Sequence, residues 1–95
     1  MSSNVSRLCA WYASHCRNDW HEDHGVRIDT LDNPGWSLVI DLEQTDLENR
    51  GFEDVRIERS DQDWVQARKR DSKFEAFGGP SNLDEMIGIF LDWVG

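Results

Sequence analysis

A chain of 95 residues with 19 acidic and 10 basic side chains, five Trp and four Phe has room for one hydrophobic core, so residues 1–95 are expected to form a single domain. Its formal charge of -9 opposes the phosphate backbone of nucleic acid and the anionic face of a membrane, and it favours a basic protein as partner. No apolar run approaches the roughly 20 residues that span a bilayer, and Met1 to Ser6 lack the regions of a secretory signal, so the expected location is cytoplasmic.

Residues 4–17 place Val5, Leu8, Cys9, Trp11, Tyr12 and Cys16 on one broad helical face, with Ser3 or Asn4 as the cap. Cys9 and Cys16 are then about 10 Å apart along one helix, whereas a disulfide needs Cα atoms within roughly 7 Å. Two free thiols are the consequence, in keeping with a reducing compartment. Asn18 to Gly25 is polar except for Trp20 and reads as a loop.

Period-two alternation follows. Val26, Ile28 and Thr30 alternate with Arg27 and Asp29, and Trp36, Leu38, Ile40 and Leu42 alternate with Ser37, Val39 and Asp41. Between these strands Asp32-Asn33-Pro34-Gly35 predicts a type II turn, with proline at its first central position and glycine at its second. A polar stretch from Glu43 to Gly51 is anchored by Leu47. Phe52, Val55 and Ile57 open another strand ending near Ser60, Asp61-Gln62-Asp63 turns the chain, and Trp64–Arg70 and Lys73–Phe77 complete a meander.

Gly78-Gly79-Pro80 breaks the sheet, and Ser81 with Asp84 forms a capping pair. Leu83, Met86, Ile87, Phe90, Leu91 and Val94 then make the stripe of a closing helix. The expected fold is α+β: an antiparallel four- to five-stranded meander sheet with an N-terminal and a C-terminal helix packed on it.

The densest chemical cluster is Cys16, Asp19, His21, Glu22, Asp23 and His24. Its histidines are three residues apart, and Gly25 stands where the second histidine of H-E-x-x-H belongs, so the stretch reads as a solvated loop with no metal or other cofactor. Cys16 has the cation Arg17 and His15 as neighbours, but the C-terminal end of a helix opposes a thiolate, and its spacing from Cys9 fits core packing. No nucleophile elbow, P-loop, dinucleotide fingerprint or CxxC occurs.

What the sequence does offer is an acidic edge. Asp41, Glu43, Asp46 and Glu48 lie on a strand end and the loop after it, and Glu53 and Asp54 begin the next strand, while Trp20 stands beside Glu22 and Asp23 as a candidate interface anchor. Trp11, Trp36 and Trp93 are assigned to the core. The candidate partner-binding residues are Trp20, Glu22, Asp23, Asp41, Glu43 and Asp46, and no residue is singled out as catalytic.

One further pattern is specific. Trp11-Tyr12, Cys16, Asp19-Trp20, Gly25, the string Thr30-Leu31-Asp32-Asn33-Pro34-Gly35-Trp36, Ile40-Asp41-Leu42, Thr45, Leu47, Asp63-Trp64, Phe74, Leu83, Phe90 and Trp93 resemble, in order, the immunity protein 53 family of bacterial polymorphic toxin systems. The loop departs from that pattern, with His21-Glu22 where Glu-His is commoner and Asp23-His24 where a tyrosine precedes the glycine. The resemblance implies a cytoplasmic immunity protein, not an enzyme, that neutralises a cognate toxin by occluding its active site or a nearby surface. A nuclease with a basic cleft would suit such a partner, because Asp41, Glu43 and Asp46 can imitate phosphates. The alternatives are a cysteine-dependent, sulfurtransferase-like enzyme using Cys16, a metal-dependent hydrolase using His21 to His24, and an adaptor unrelated to toxins.

Overall fold

The computed structural model describes residues 3–16 and 19–95. Arg17 and Asn18 lie outside them, and with these the predicted last residue of the first helix, the cation beside Cys16 and the start of the predicted loop. The elements are α1 (Asn4–His15), α2 (Trp20–Asp23), β1 (Val26–Leu31), β2 (Gly35–Asp41), β3 (Val55–Ser60), β4 (Asp63–Arg70), β5 (Lys73–Gly78) and α3 (Leu83–Val94). The five strands form one antiparallel sheet in the order β1-β2-β5-β4-β3, covered on one face by helices, so the fold is α+β as expected. No described helix is long and apolar enough to cross a membrane.

Alternation sets which face is covered. Leu38 and Ile40 of β2, Phe74 and Ala76 of β5, and Val65 and Ala67 of β4 point into the core, where Met86, Ile87, Phe90 and Leu91 of α3 meet them. The opposite face carries Arg27, Ser37, Val39, Asp41, Lys73, Glu75, Phe77, Gln66 and Arg68, which are exposed or half-buried. There Arg68 Nε donates to Glu75 at 2.8 Å, and its guanidinium lies over the Phe77 ring.

The strand order departs from a plain meander at one place: β2 is followed in sequence by β3 but pairs with β5. Residues 42–54 must therefore carry the chain across to the far edge. Buried Leu42 and Leu47 and half-buried Phe52 anchor this crossover from within. Charged side chains tie down its carbonyls: Lys69 Nζ donates to Glu48 and Arg50 oxygens, and Arg50 reaches the Trp93 carbonyl at the end of α3. Trp93 returns the bond through its indole N–H to Gly51. Phe52, Phe74, Phe90 and Trp93 form an aromatic cluster beneath it.

Several local expectations change. Gly35 belongs to β2, paired with Leu31, and does not take the left-handed conformation of a type II turn; the Asn33–Pro34 peptide is cis. Glycine is required at position 35 for space, because a Cβ there would collide with the Gly78 carbonyl on the neighbouring strand. The cap of α3 is Asn82, not Ser81. Asn82 is 6% exposed, and its amide donates to Asp63 and Glu85. Arg59 completes the group by bridging both carboxylates. Hydrogen bonds from Asn82 and then Arg59 hold the Asp63 carboxyl below its ordinary range, and Arg59, with a smaller contribution from Asn82, does the same for Glu85.

Helix α1 is capped by Ser3, whose side chain accepts from Ser6 N–H, but its buried stripe is narrower than its sequence implies. Only Leu8 and Trp11 are buried; Val5, Cys9 and Tyr12 are exposed and Cys16 is half-buried. The physical reason is position. This helix packs against α3 at the flank of the helical layer, with Asn4 bonded to Asp84 and Trp11 edge-on to Phe90.

Candidate functional site

The acidic candidates sit where the N-terminal segment meets the end of β2. The stretch read as a loop contains one helical turn, α2, entered through Asp19 in the left-handed conformation. Trp20 is the pivot of this corner, and at 4% exposure it is the most buried of the five tryptophans. Its ring stacks on His24 and stands edge-on to Trp11 and Tyr12, and its indole N–H donates to the Glu43 carbonyl at 2.8 Å. Trp20 is therefore not an exposed anchor: burying an indole while satisfying its N–H fixes α2 against the start of the crossover.

That anchoring brings four of the candidates together. Glu22 and Asp23 are exposed on α2, and with His24, Gly25, Val26, Arg27 and Asp41 they line a shallow depression of about 240 Å³. Asp41 has internal work as well: its carboxylate accepts from Gly25 N–H at 2.9 Å and lies 3.4 Å from Lys73 Nζ. Glu43 is exposed, and its carboxylate lies 3.9 Å from His24 Nε2, an approach that becomes an ion pair when the ring is protonated. His24 Nδ1 donates to the Trp20 carbonyl, which orients the ring.

Asp46 lies farther along the crossover, exposed, and no hydrogen bond or ion pair ties its side chain to this corner among the described residues. Glu48 is half-buried and accepts from Gln44 N–H. Glu53 and Asp54 stand at the β3 edge, across the sheet from Asp41. The acidic edge expected from the sequence is thus two separate patches.

The sequence reading names His24 only as a possible metal ligand and does not single out Arg27. His24 couples Trp20 to Glu43, and among the described residues Arg27 is the one Lys or Arg lining the depression. The alternation Val26-Arg27-Ile28-Asp29 was the available signal for Arg27, since it assigns that side chain to the same sheet face as Asp41.

Among the described residues no group of three or more His, Cys, Asp or Glu is placed to hold a metal ion. Cys16 donates its thiol to the Tyr12 carbonyl at 3.4 Å, and both cysteines are free. The nearby sulfur, by its charge first and its hydrogen bond second, raises the Tyr12 phenol above its ordinary value. His15 faces the Trp11 ring and donates to the Trp11 carbonyl, so the histidine adjacent to Cys16 in sequence is engaged elsewhere.

What the corner offers is a carboxylate-rich surface on a base seated by Trp20, an arrangement that attracts cationic groups. No curated protein and no solved structure matches the chain. The family model for immunity protein 53 matches residues 5–95, an interval that contains the Trp20 pivot, the strand-linking Leu-Asp-Asn-Pro-Gly-Trp string and the closing helix, and the chain belongs to the immunity protein 53 family.

Proposed function

We propose that this chain is a cytoplasmic antidote, folded as a single domain, that binds a cognate toxin and blocks it by covering the toxin's active site or an adjacent surface. Membership of the immunity protein 53 family is the observation that carries this reading. The contact face we assign is the corner of Glu22, Asp23, Asp41 and Glu43, with Asp46 at its rim, and the partner is a toxin with a basic cleft such as a nuclease. Three facts support that choice: the formal charge of -9, the exposure of Glu22, Asp23 and Glu43, and the firm seating of α2 by Trp20. Binding rather than catalysis is the mode of action. Carboxylates held on a pre-organised base attract a basic partner from a distance and avoid an ordering penalty on contact.

Co-expression with the toxin encoded beside it should protect cells and yield a co-purifying complex; loss of protection with a well-folded chain would reject the reading. The surface has its own test. Glu22→Lys with Asp23→Lys should slow association about tenfold at low salt and much less at high salt. Association kinetics unchanged by that reversal would remove the corner from the interface.

A further inference from the structure

A second feature, independent of the acidic corner, lies along β1. Among the described residues this strand pairs with β2 on one side only, and its other edge has no neighbouring strand. The three large hydrophobic side chains exposed among the described residues gather beside it: Val5 at 55%, Tyr12 at 36% and Ile28 at 42%. They line one apolar groove of about 340 Å³ between α1 and β1, with Cys9 and Val26. An apolar patch next to an unpaired strand is a surface for adding another strand.

The order of residues in β1 selects the occupant. Asp41 N–H donates to the Gly25 carbonyl, so stepping by two along the register makes Arg27, Asp29 and Leu31 the residues hydrogen-bonded to β2. The N–H and C=O groups of Val26, Ile28 and Thr30 therefore point outward. A second β1 laid antiparallel about a two-fold axis at Ile28 sets Val26 opposite Thr30 and Ile28 opposite its own copy, and these are the residues with free backbone groups. Arg27 then falls opposite Asp29 of the other copy, twice, at the positions where facing side chains lie closest. Neither residue has an ion-pair partner among the described residues.

We infer that β1 is a self-pairing edge, through which two copies of this chain join their sheets into one and bring the two apolar grooves together across the axis. Backbone parity, apolar exposure and charge order agree on one register, with a second copy as the matching strand.

The intact chain should sediment at twice its 11.1 kDa mass as concentration rises, measured at physiological salt so that repulsion between two chains of charge -9 is screened. Asp29→Arg should raise the dimer dissociation constant about tenfold by setting cations opposite each other, and adding Arg27→Asp to it should restore the affinity. Ile28→Pro should abolish pairing while leaving the β1–β2 ladder intact, because the lost N–H is one that points outward. Amide exchange along β2 checks that the variants are folded. A chain that stays monomeric up to about 1 mM would overturn the inference, as would a dimer indifferent to the Asp29 and Ile28 substitutions. Protection of the outward β1 amides that appears only when the toxin is added would also overturn it, and would give this edge to the toxin. Cell protection by the Ile28→Pro variant is read separately, so failure of the dimer leaves the antidote reading standing.

Discussion

The two edges of the sheet are built differently. On β3 the apolar residues Val55 and Ile57 pack against the core, Arg56 and Glu58 face solvent, and the register slips between Glu58 and Ser60. Arg59 then bonds Glu85 and Asp63, which fastens that edge to the start of α3. A charged, irregular edge tied to a helix is a poor template for another strand. On β1 the pairing with β2 runs without a slip from Val26 to Leu31, and Ile28 remains exposed. The lesson is that protection against edge pairing is present on one side of the molecule and lacking on the other, which is the pattern of a sheet with one edge in use.

Three substitutions would break or sharpen this contrast. The largest effect is expected at the centre of the sheet, between the two edges: Phe74 of β5 is fully buried among Phe52, Phe90 and Trp93, and Phe74→Ala should remove roughly 3–5 kcal/mol in urea unfolding. That is a large part of the 5–15 kcal/mol typical of small domains. A loss similar to that of an exposed β1 substitution would show that the centre of the sheet and its β1 edge do not differ in packing.

Asn82→Ala comes next. It should cost about 1 kcal/mol or more at neutral pH, because Asp63 and Glu85 lose a buried donor. The same network predicts a pH dependence. Both carboxyls are held below their ordinary values in the fold, so their contribution is fully present above the usual carboxylate range near pH 4 and disappears as pH falls through their lowered folded values. Urea midpoints of the parent chain should fall in that acid window, and the Asn82→Ala chain should show a shallower decline. Parallel curves would mean the network contributes nothing to acid sensitivity.

The smallest effect is expected on the open edge. Ile28→Thr keeps a β-branched side chain at a solvent-facing position, so the stability of the monomer should move by about 0.5 kcal/mol or less. Measured where the chain is dimeric, the same change should lower the midpoint by a further, concentration-dependent amount.

Strands and the closing helix were legible in the sequence because their patterns are local: period two in Ser37–Leu42, and the stripe Leu83 to Val94. Partnership was not. Nothing near Ile40 announces that it will pair with Phe74, and a meander is what adjacency alone implies. The four residues of α2 are too few to display a helical period, so Trp20 looked like a loop residue free for an interface when it is an internal pivot. The sequence points to Ser81 rather than Asn82 as the cap, because the importance of Asn82 comes from Asp63 on β4 and Arg59 on β3, both distant in sequence. Of the site, the acids Glu22, Asp23 and Glu43 could be picked out by composition, but only the fold separates them from Glu53 and Asp54.

The pairing of β2 with β5 has a consequence for how the molecule is made. As the chain is synthesised, the β1–β2 hairpin emerges before β5 and has to wait for that more distant sequence to dock along its inner side. Until then both of its flanks are open, and Leu38 and Ile40 have no covering layer. The sheet is thus completed only when β5 has left the ribosome, and its cover only when α3 has; that interval is when nascent chains are most prone to associate with one another.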